Sequence, residues 1–330
     1  MARDLVSLPK VDLHLHLEGS MRASTVVELA ERYGVDLPEG LREGRCEFRD
    51  FRHFIDEFVA GIACLRELDD FCRIAYELAE DEAAEGVRYA EVMVSLPDHR
   101  GRFDDWDAVL EAVLEGLADG EGDFGVVSRV IVDVVRGIDL RLSRRAMEVG
   151  VRHRDAGVVG IGVGGEERFG PEPYEEIFLS GIAGGLHSVP HAGENEGAAS
   201  IRGAVRQLRA ERIGHGIRIM EDPKLVAEVL ERGIALDVCP TSNVMTRSVP
   251  SLDDHPLPAM LEAGLACTLA SDDPTMFGSP LAGEYERCRS AFGFDDERLA
   301  ELARNGVRAS FAVDGLKAEL EASIDDWIAR

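Results

Sequence analysis

Short apolar runs rich in Val and Ile alternate along the chain with longer stretches in which apolar residues recur every three to four positions. The first pattern suits a strand buried on both faces and the second an amphipathic helix, so their alternation predicts strand–helix units around a parallel sheet. Eight runs read as strands: Val11 to Leu17, Val87 to Val94, Val126 to Val135, Val158 to Val163, Leu186 to His191, Arg212 to His215, Ile234 to Val238 and Ala266 to Ala270. Helical spacing marks Ser24 to Tyr33, a long stretch from Phe51 to Glu85, Trp106 to Ala118, Arg141 to Ala156, Tyr174 to Ala183, Ala198 to Ala210, Pro223 to Glu231 and His255 to Glu262. Eight parallel units point to a closed (β/α)8 TIM barrel, with extra helix after the first strand and a helical tail from Asp295 packed outside it.

No stretch reads as an interdomain linker. The glycine-rich segment from Gly160 to Pro173 follows a strand at once, so it reads as a βα loop, and residues 1–330 are expected to form one domain. A doubly wound open sheet is the competing architecture. Its GxGxxG fingerprint is missing after the first strand, and the glycine-rich run at Gly160 to Gly165 falls after the fourth instead.

Charge narrows the function classes. The chain carries 36 Lys plus Arg against 63 Asp plus Glu, a formal charge of −27. A surface this acidic repels phosphate backbones and anionic lipid, which excludes a nucleic-acid-wrapping or membrane-surface role and favours neutral small molecules or metal cations as partners. The six cysteines, at 46, 64, 72, 239, 267 and 288, form no CxxC pair and read as reduced thiols. MARDLVSLPK lacks a signal-peptide pattern and no run approaches ~18 apolar residues, so the expected location is the cytoplasm. The oligomeric state is not legible.

Four of the nine histidines fall near the ends of predicted strands, where a barrel of this type places its active site. His14 and His16, in VDLHLHLEG, leave the same face of a strand roughly 6.6 Å apart along it. His191 begins HAGENEG after the fifth strand, His215 lies in RIGHG after the sixth, and Asp272 and Asp273 lie in LASDDP after the eighth. Each residue alone fits a hydrogen-bonded core histidine or a capping aspartate. Together, three imidazoles and a carboxylate make a nitrogen and oxygen set suited to Zn²⁺ with a position left for water, whose pKa the metal lowers from ~15.7 toward ~7.

The ordered series LPKVDLHLHLEGS, FRDFRHFIDEF, YAEVMVSLP, VVGIGVGGEE, HAGE, RIGHG, CPTSN and SDDP resembles the adenosine deaminase family of metal-dependent aminohydrolases over most of the chain. The resemblance implies one zinc ion per chain held by His14, His16, His191 and Asp272, with Glu194 as the proton shuttle and His215 orienting and helping to deprotonate the bound water. It implies a small-molecule purine substrate, the N–H of Gly165 meeting ring nitrogen 3, a protonated Asp273 meeting nitrogen 7, Glu18 facing the ribose, and Phe54 and Phe58 flanking the pocket mouth. Deamination at carbon 6 needs a proton delivered to nitrogen 1, and an acid three residues from a metal ligand is placed for it. Adenosine or 2′-deoxyadenosine is the expected substrate, and Ser242 and Asn243 are expected to support the Asp272 loop.

Several positions depart from the family pattern. Gly162 replaces the aspartate of DLAGDE, Gly164 its alanine and Glu166 its second aspartate, while Met93 replaces an arginine. These are expected to line or support the substrate side, which opens adenine, N6-substituted adenines, adenine nucleotides and 6-aminodeoxyfutalosine as alternatives. An anionic substituent would need a cation, for which Arg22, Arg168, Arg218 and Arg247 are loop candidates. A two-metal amidohydrolase would need a lysine at the end of the fourth strand, a cytidine-deaminase site would need HxE with PCxxC, and neither is present. A catalytically dead nucleoside-binding barrel is the alternative from another class; retention of Glu194 argues against it.

Overall fold

The computed structural model describes residues 2–330. Eight strands form one parallel sheet in sequence order: β1 (Lys10–His16), β2 (Val87–Val94), β3 (Val127–Val135), β4 (Val158–Gly164), β5 (His187–Ala192), β6 (Arg212–His215), β7 (Ala235–Val238) and β8 (Cys267–Leu269). The seam between β8 and β1 is closed just past β8: the His16 N–H donates to the Asp272 carbonyl and the Asp272 N–H to the His14 carbonyl, both at 2.9 Å. The ring is thereby completed at the residues that carry the candidate chemistry. All eight expected strands are present, displaced at their ends by a residue or two.

Helices differ more, because their ends are set by capping groups. The long stretch after β1 is two helices, Phe51–Ile62 and Leu68–Ala84. Asp70 Oδ2 accepts from the N–H groups of Arg66 and Glu67, both at 2.9 Å, which starts the second helix afresh. Helices at Pro240–Met245 and Leu281–Phe292 fall where no periodicity marked one. The tail divides into Asp296–Ala309 and Asp314–Ala329. The first packs directly on the sheet, since a Cβ on Gly306 would come within 2.8 Å of Val11 Cγ2.

Met93, Ile131 and Val189 fill the barrel interior, with Phe311 packed against them. Below them, at the strand N-termini, Arg212 is 1 % exposed and pairs with Glu91 and, at 2.5 Å, with Asp237. Glu91 also accepts from the Tyr89 hydroxyl at 2.9 Å and the Phe311 N–H at 2.7 Å, tying the start of the tail to the barrel floor. Removing the guanidinium leaves two carboxylates buried without a counter-charge. Arg212→Ala is therefore expected to cost about 3–5 kcal/mol in urea unfolding, whereas a loss below about 1 kcal/mol would mean that water reaches the pair.

Among the described residues no helix is long and apolar enough to cross a membrane.

Candidate active site at the strand C-terminal ends

A cavity of about 510 Å³ opens at the C-terminal ends of the strands, within the ~300–1,000 Å³ common for small-molecule sites. His16, His191, Glu194, His215, Asp272 and Asp273 line it, and His14 stands beneath them, fully buried. His215 and Asp272 have φ of 63° and 64°, a left-handed conformation uncommon outside glycine. At both strand ends the chain turns sharply there and turns the side chain into the mouth, the kind of backbone outlier that collects at functional sites. Gly214 is equally constrained, since a Cβ there would fall 2.5 Å from His14 Cε1.

The four proposed ligands converge. His16 Nε2 stands 3.2 Å from His191 Nε2 and 3.4 Å from Asp272 Oδ1, and His14 Nε2 is 3.5 Å from the same oxygen. Donors at ~2.0–2.1 Å from a tetrahedral zinc lie roughly 3.3 Å apart, so the spacing suits such an ion. Both ring nitrogens of His14 and Nδ1 of His191 are buried with no hydrogen-bond partner. Orphaned nitrogens are costly in a dry interior, and a cation at the centre would satisfy one of the two on His14. Burial would by itself raise the Asp272 carboxyl, but His14 and the other imidazoles hold it well below its ordinary range, as an anionic ligand requires.

Glu194 is 4 % exposed, with Oε2 accepting from Asn195 Nδ2 at 3.0 Å and Oε1 from the Thr246 hydroxyl at 3.3 Å. Burial, then the nearby charges of Asp272 and Glu167, push its carboxyl well above the ordinary range, favouring the protonated form. His215 Nε2 lies 3.7 Å from Glu194 Oε2 and 3.9 Å from Asp272 Oδ2. Its Nδ1 faces Asn243 Nδ2 at 3.1 Å, while Asn243 Oδ1 faces His255 Nε2 at 3.2 Å. An amide N–H at Nδ1 leaves the proton on Nε2, pointing into the site, and burial keeps the ring neutral by lowering its pKa to about 3. Asn243 thus supports His215 rather than the Asp272 loop as the sequence suggested.

Asp273 tucks against Gly19, where a Cβ would overlap its carboxyl, and Oδ1 has no partner. Burial and the adjoining Asp272 push it well above the ordinary range, so a proton resides there. Gly165, at φ 87°, lines the cavity, as do Phe54 and Phe58 on the helix Phe51–Ile62. Glu18 does not line it. It sits in a short turn past β1, where Oε1 accepts from the Ser95 N–H at 3.1 Å and from His99 Nε2 at 2.9 Å.

Other expectations are corrected. Met93 packs inside the barrel and Gly162 lies beneath Asp133, so neither lines the cavity; Gly164 and Glu166 do. Arg22, Arg168, Arg218 and Arg247 lie outside the lining, the first three tied to Asp81, Glu166 and the Ser248 carbonyl respectively. The cations that line it are Arg52, Arg100 and Arg136.

Sequence reasoning also passed over Arg136, Asp133 and Glu167. Arg136 is buried and donates to the His191 carbonyl at 2.7 Å. Glu167 accepts from the N–H groups of Gly193 and Glu194, both at 2.7 Å, and of Asn195 at 3.0 Å, which holds the HAGEN loop in shape. Only the polar second position after the glycines in VVGIGVGGEE hinted at it.

The matches with known proteins follow this geometry. The family model for adenosine deaminase matches residues 9–327. An aminodeoxyfutalosine deaminase from Streptomyces coelicolor is 40 % identical over 332 residues, 98 % of this chain and 86 % of that protein. The crystal structure of an adenine deaminase from Arthrobacter aurescens superposes with a TM-score of 0.92 at 36 % identity, covering 98 % of this chain and 99 % of that one. A zinc-bound amidohydrolase from Burkholderia ambifaria does so at 0.89 and 29 %, covering 99 % and 94 %. Barrel, converging imidazoles, buried acid and matches spanning nearly the whole chain lead to one assignment: the chain belongs to the adenosine deaminase family, metal-dependent hydrolases that act on the carbon–nitrogen bond of adenine, adenosine or aminodeoxyfutalosine.

Proposed function

We propose that the protein is a zinc-dependent aminohydrolase that replaces the 6-amino group of a purine nucleoside by oxygen, releasing ammonia, with adenosine or 2′-deoxyadenosine as substrate. The convergence of four ligand groups beside one protonated, buried glutamate carries the reading. His14, His16, His191 and Asp272 would hold one zinc ion. Zinc bound there lowers the pKa of water enough to supply hydroxide at neutral pH.

The chain's own groups do the rest. Glu194, neutral by burial, gives its proton to nitrogen 1, which would otherwise carry the charge developing on the ring as carbon 6 is attacked. His215, with Asn243 fixing its tautomer, orients the attacking water through Nε2. Asp273 donates to nitrogen 7 and the Gly165 N–H to nitrogen 3, so the base is held at three ring nitrogens. Because nitrogens 1 and 7 flank carbon 6, contacts to them from Glu194 and Asp273 seat the purine with carbon 6 inward and nitrogen 9 toward the mouth. There Ser95, Asp98 and Arg100 offer donors and acceptors to a hydroxylated substituent.

Free adenine is the second reading. Glu18, the carboxylate expected at the ribose, is occupied by Ser95 and His99 away from the cavity, which removes one nucleoside contact. Formation of the 6-oxopurine measured across adenosine, 2′-deoxyadenosine, adenine, N6-substituted adenines (which release the amine in place of ammonia), adenosine monophosphate and aminodeoxyfutalosine decides between them. The nucleosides are expected to give kcat/KM at least about tenfold above adenine, a difference of about 1.4 kcal/mol. The reverse order would transfer the assignment to the free base, and no turnover of any of them would refute the substrate class.

A further inference from the structure

Asp133, on β3, lines the cavity and is 2 % exposed, yet has no part in the chemistry above. Its Oδ1 is buried with no hydrogen-bond partner, and its Oδ2 stands 3.8 Å from His16 Nδ1. His16 presents its other nitrogen, Nε2, to His191 and Asp272, so Nδ1 is the nitrogen left for a supporting partner. A histidine that binds metal through one ring nitrogen carries a proton on the other, and a carboxylate facing that proton fixes the ring and strengthens it as a ligand. The separation exceeds a hydrogen bond by about 0.8 Å, a gap that a small side-chain rotation closes.

The neighbouring strand has made room for this carboxylate. Asp133 pairs in register with Gly162 on β4, and a Cβ at 162 would fall 2.0 Å from Asp133 Oδ1. Only glycine fits opposite it. Where the family pattern places an aspartate at 162, this chain has glycine there and its carboxyl on the adjoining strand, projecting into the same layer of the barrel. We infer that Asp133 is a positioning residue for the metal ligand His16, its carboxylate supplied from β3 in exchange for the one absent from β4.

The inference rests on the metal reading above but not on which purine is deaminated, and its test uses no substrate. Zinc affinity of the full-length protein is measured by competition with a chromogenic chelator. Asp133→Ala is expected to bind zinc about 10–100-fold more weakly than the parent. The transposed pair Asp133→Ala with Gly162→Asp is expected to recover most of that loss, which a merely space-filling role would not do. Asp133→Asn has the parent's shape, so weaker zinc binding in it does not stem from a packing defect if Asp133→Ala folds poorly. Parent-like affinity in Asp133→Ala or Asp133→Asn, or a transposed pair no tighter than Asp133→Ala alone, would overturn the inference while leaving the metal reading intact. A parent chain that binds no zinc overturns both.

Discussion

Glu194→Gln is expected to lower kcat by about 10²–10⁴-fold while zinc content and thermal unfolding stay near the parent's. Glutamine keeps the shape and an amide N–H that points where the acid's proton would, so it preserves binding but has no proton to give. Binding of a product-like purine should therefore change little, and the loss should appear in kcat rather than KM. The buried surroundings supply the reason for the size of the effect. Desolvation and the charges of Asp272 and Glu167 hold the parent carboxyl protonated, and Asn195 and Thr246 already fix its two oxygens, so no other group in the cavity is placed to take over. Turnover within threefold of the parent would assign the proton transfer elsewhere, with water delivered past Glu194 as the first alternative.

Stripping the metal is expected to abolish turnover and to lower stability together. Without a cation the His14 nitrogens are buried and unpartnered, while burial keeps the neighbouring His16 and His215 rings from charging easily. Zinc that binds the folded state alone adds about 4 kcal/mol at a free concentration 1,000 times its dissociation constant. The checks are the melting temperature of chelated protein with and without added zinc, and recovery of ammonia release as zinc is titrated back. One equivalent per chain should suffice. Full activity after exhaustive chelation would refute the ligand assignment, and a requirement for two equivalents would favour a two-metal amidohydrolase site. His14→Ala should likewise abolish turnover, because it removes one of the four groups that would hold the ion.

These expectations draw on residues that differ in how plainly they can be read. His14 and His16 announce themselves by the alternation of a strand, and His191, His215 and Asp272 by standing where apolar runs end. Glu167 and Asn243 do not. Glu167 acts through three backbone N–H groups of a loop twenty-six residues or more away, and Asn243 through the unexposed nitrogen of His215. Such contacts follow from the closing of the barrel, which brings the ends of non-adjacent segments together. The arginines show the same limit from the other side. Arg22 and Arg168 occupy loops near the mouth in sequence, but Arg22 is neutralised by Asp81 outside the cavity and Arg168 by Glu166 on its lining, whereas Arg136 at the end of a strand reaches inward.

The amino-acid sequence by itself determined the eight strand–helix units and their parallel order, and it singled out the groups proposed to bind metal and to transfer the proton. It could do so because hydrophobic period and strand-end position are local properties of the chain. What only the tertiary structure decided is where each side chain points. Glu18 turned toward Ser95 and His99 rather than the cavity, Met93 filled the barrel interior, the long helical stretch after β1 broke between Ile62 and Leu68, and Asp133 took the space over Gly162. Each outcome depends on competition for space and hydrogen bonds between residues far apart in the chain. That competition is settled only when the barrel closes.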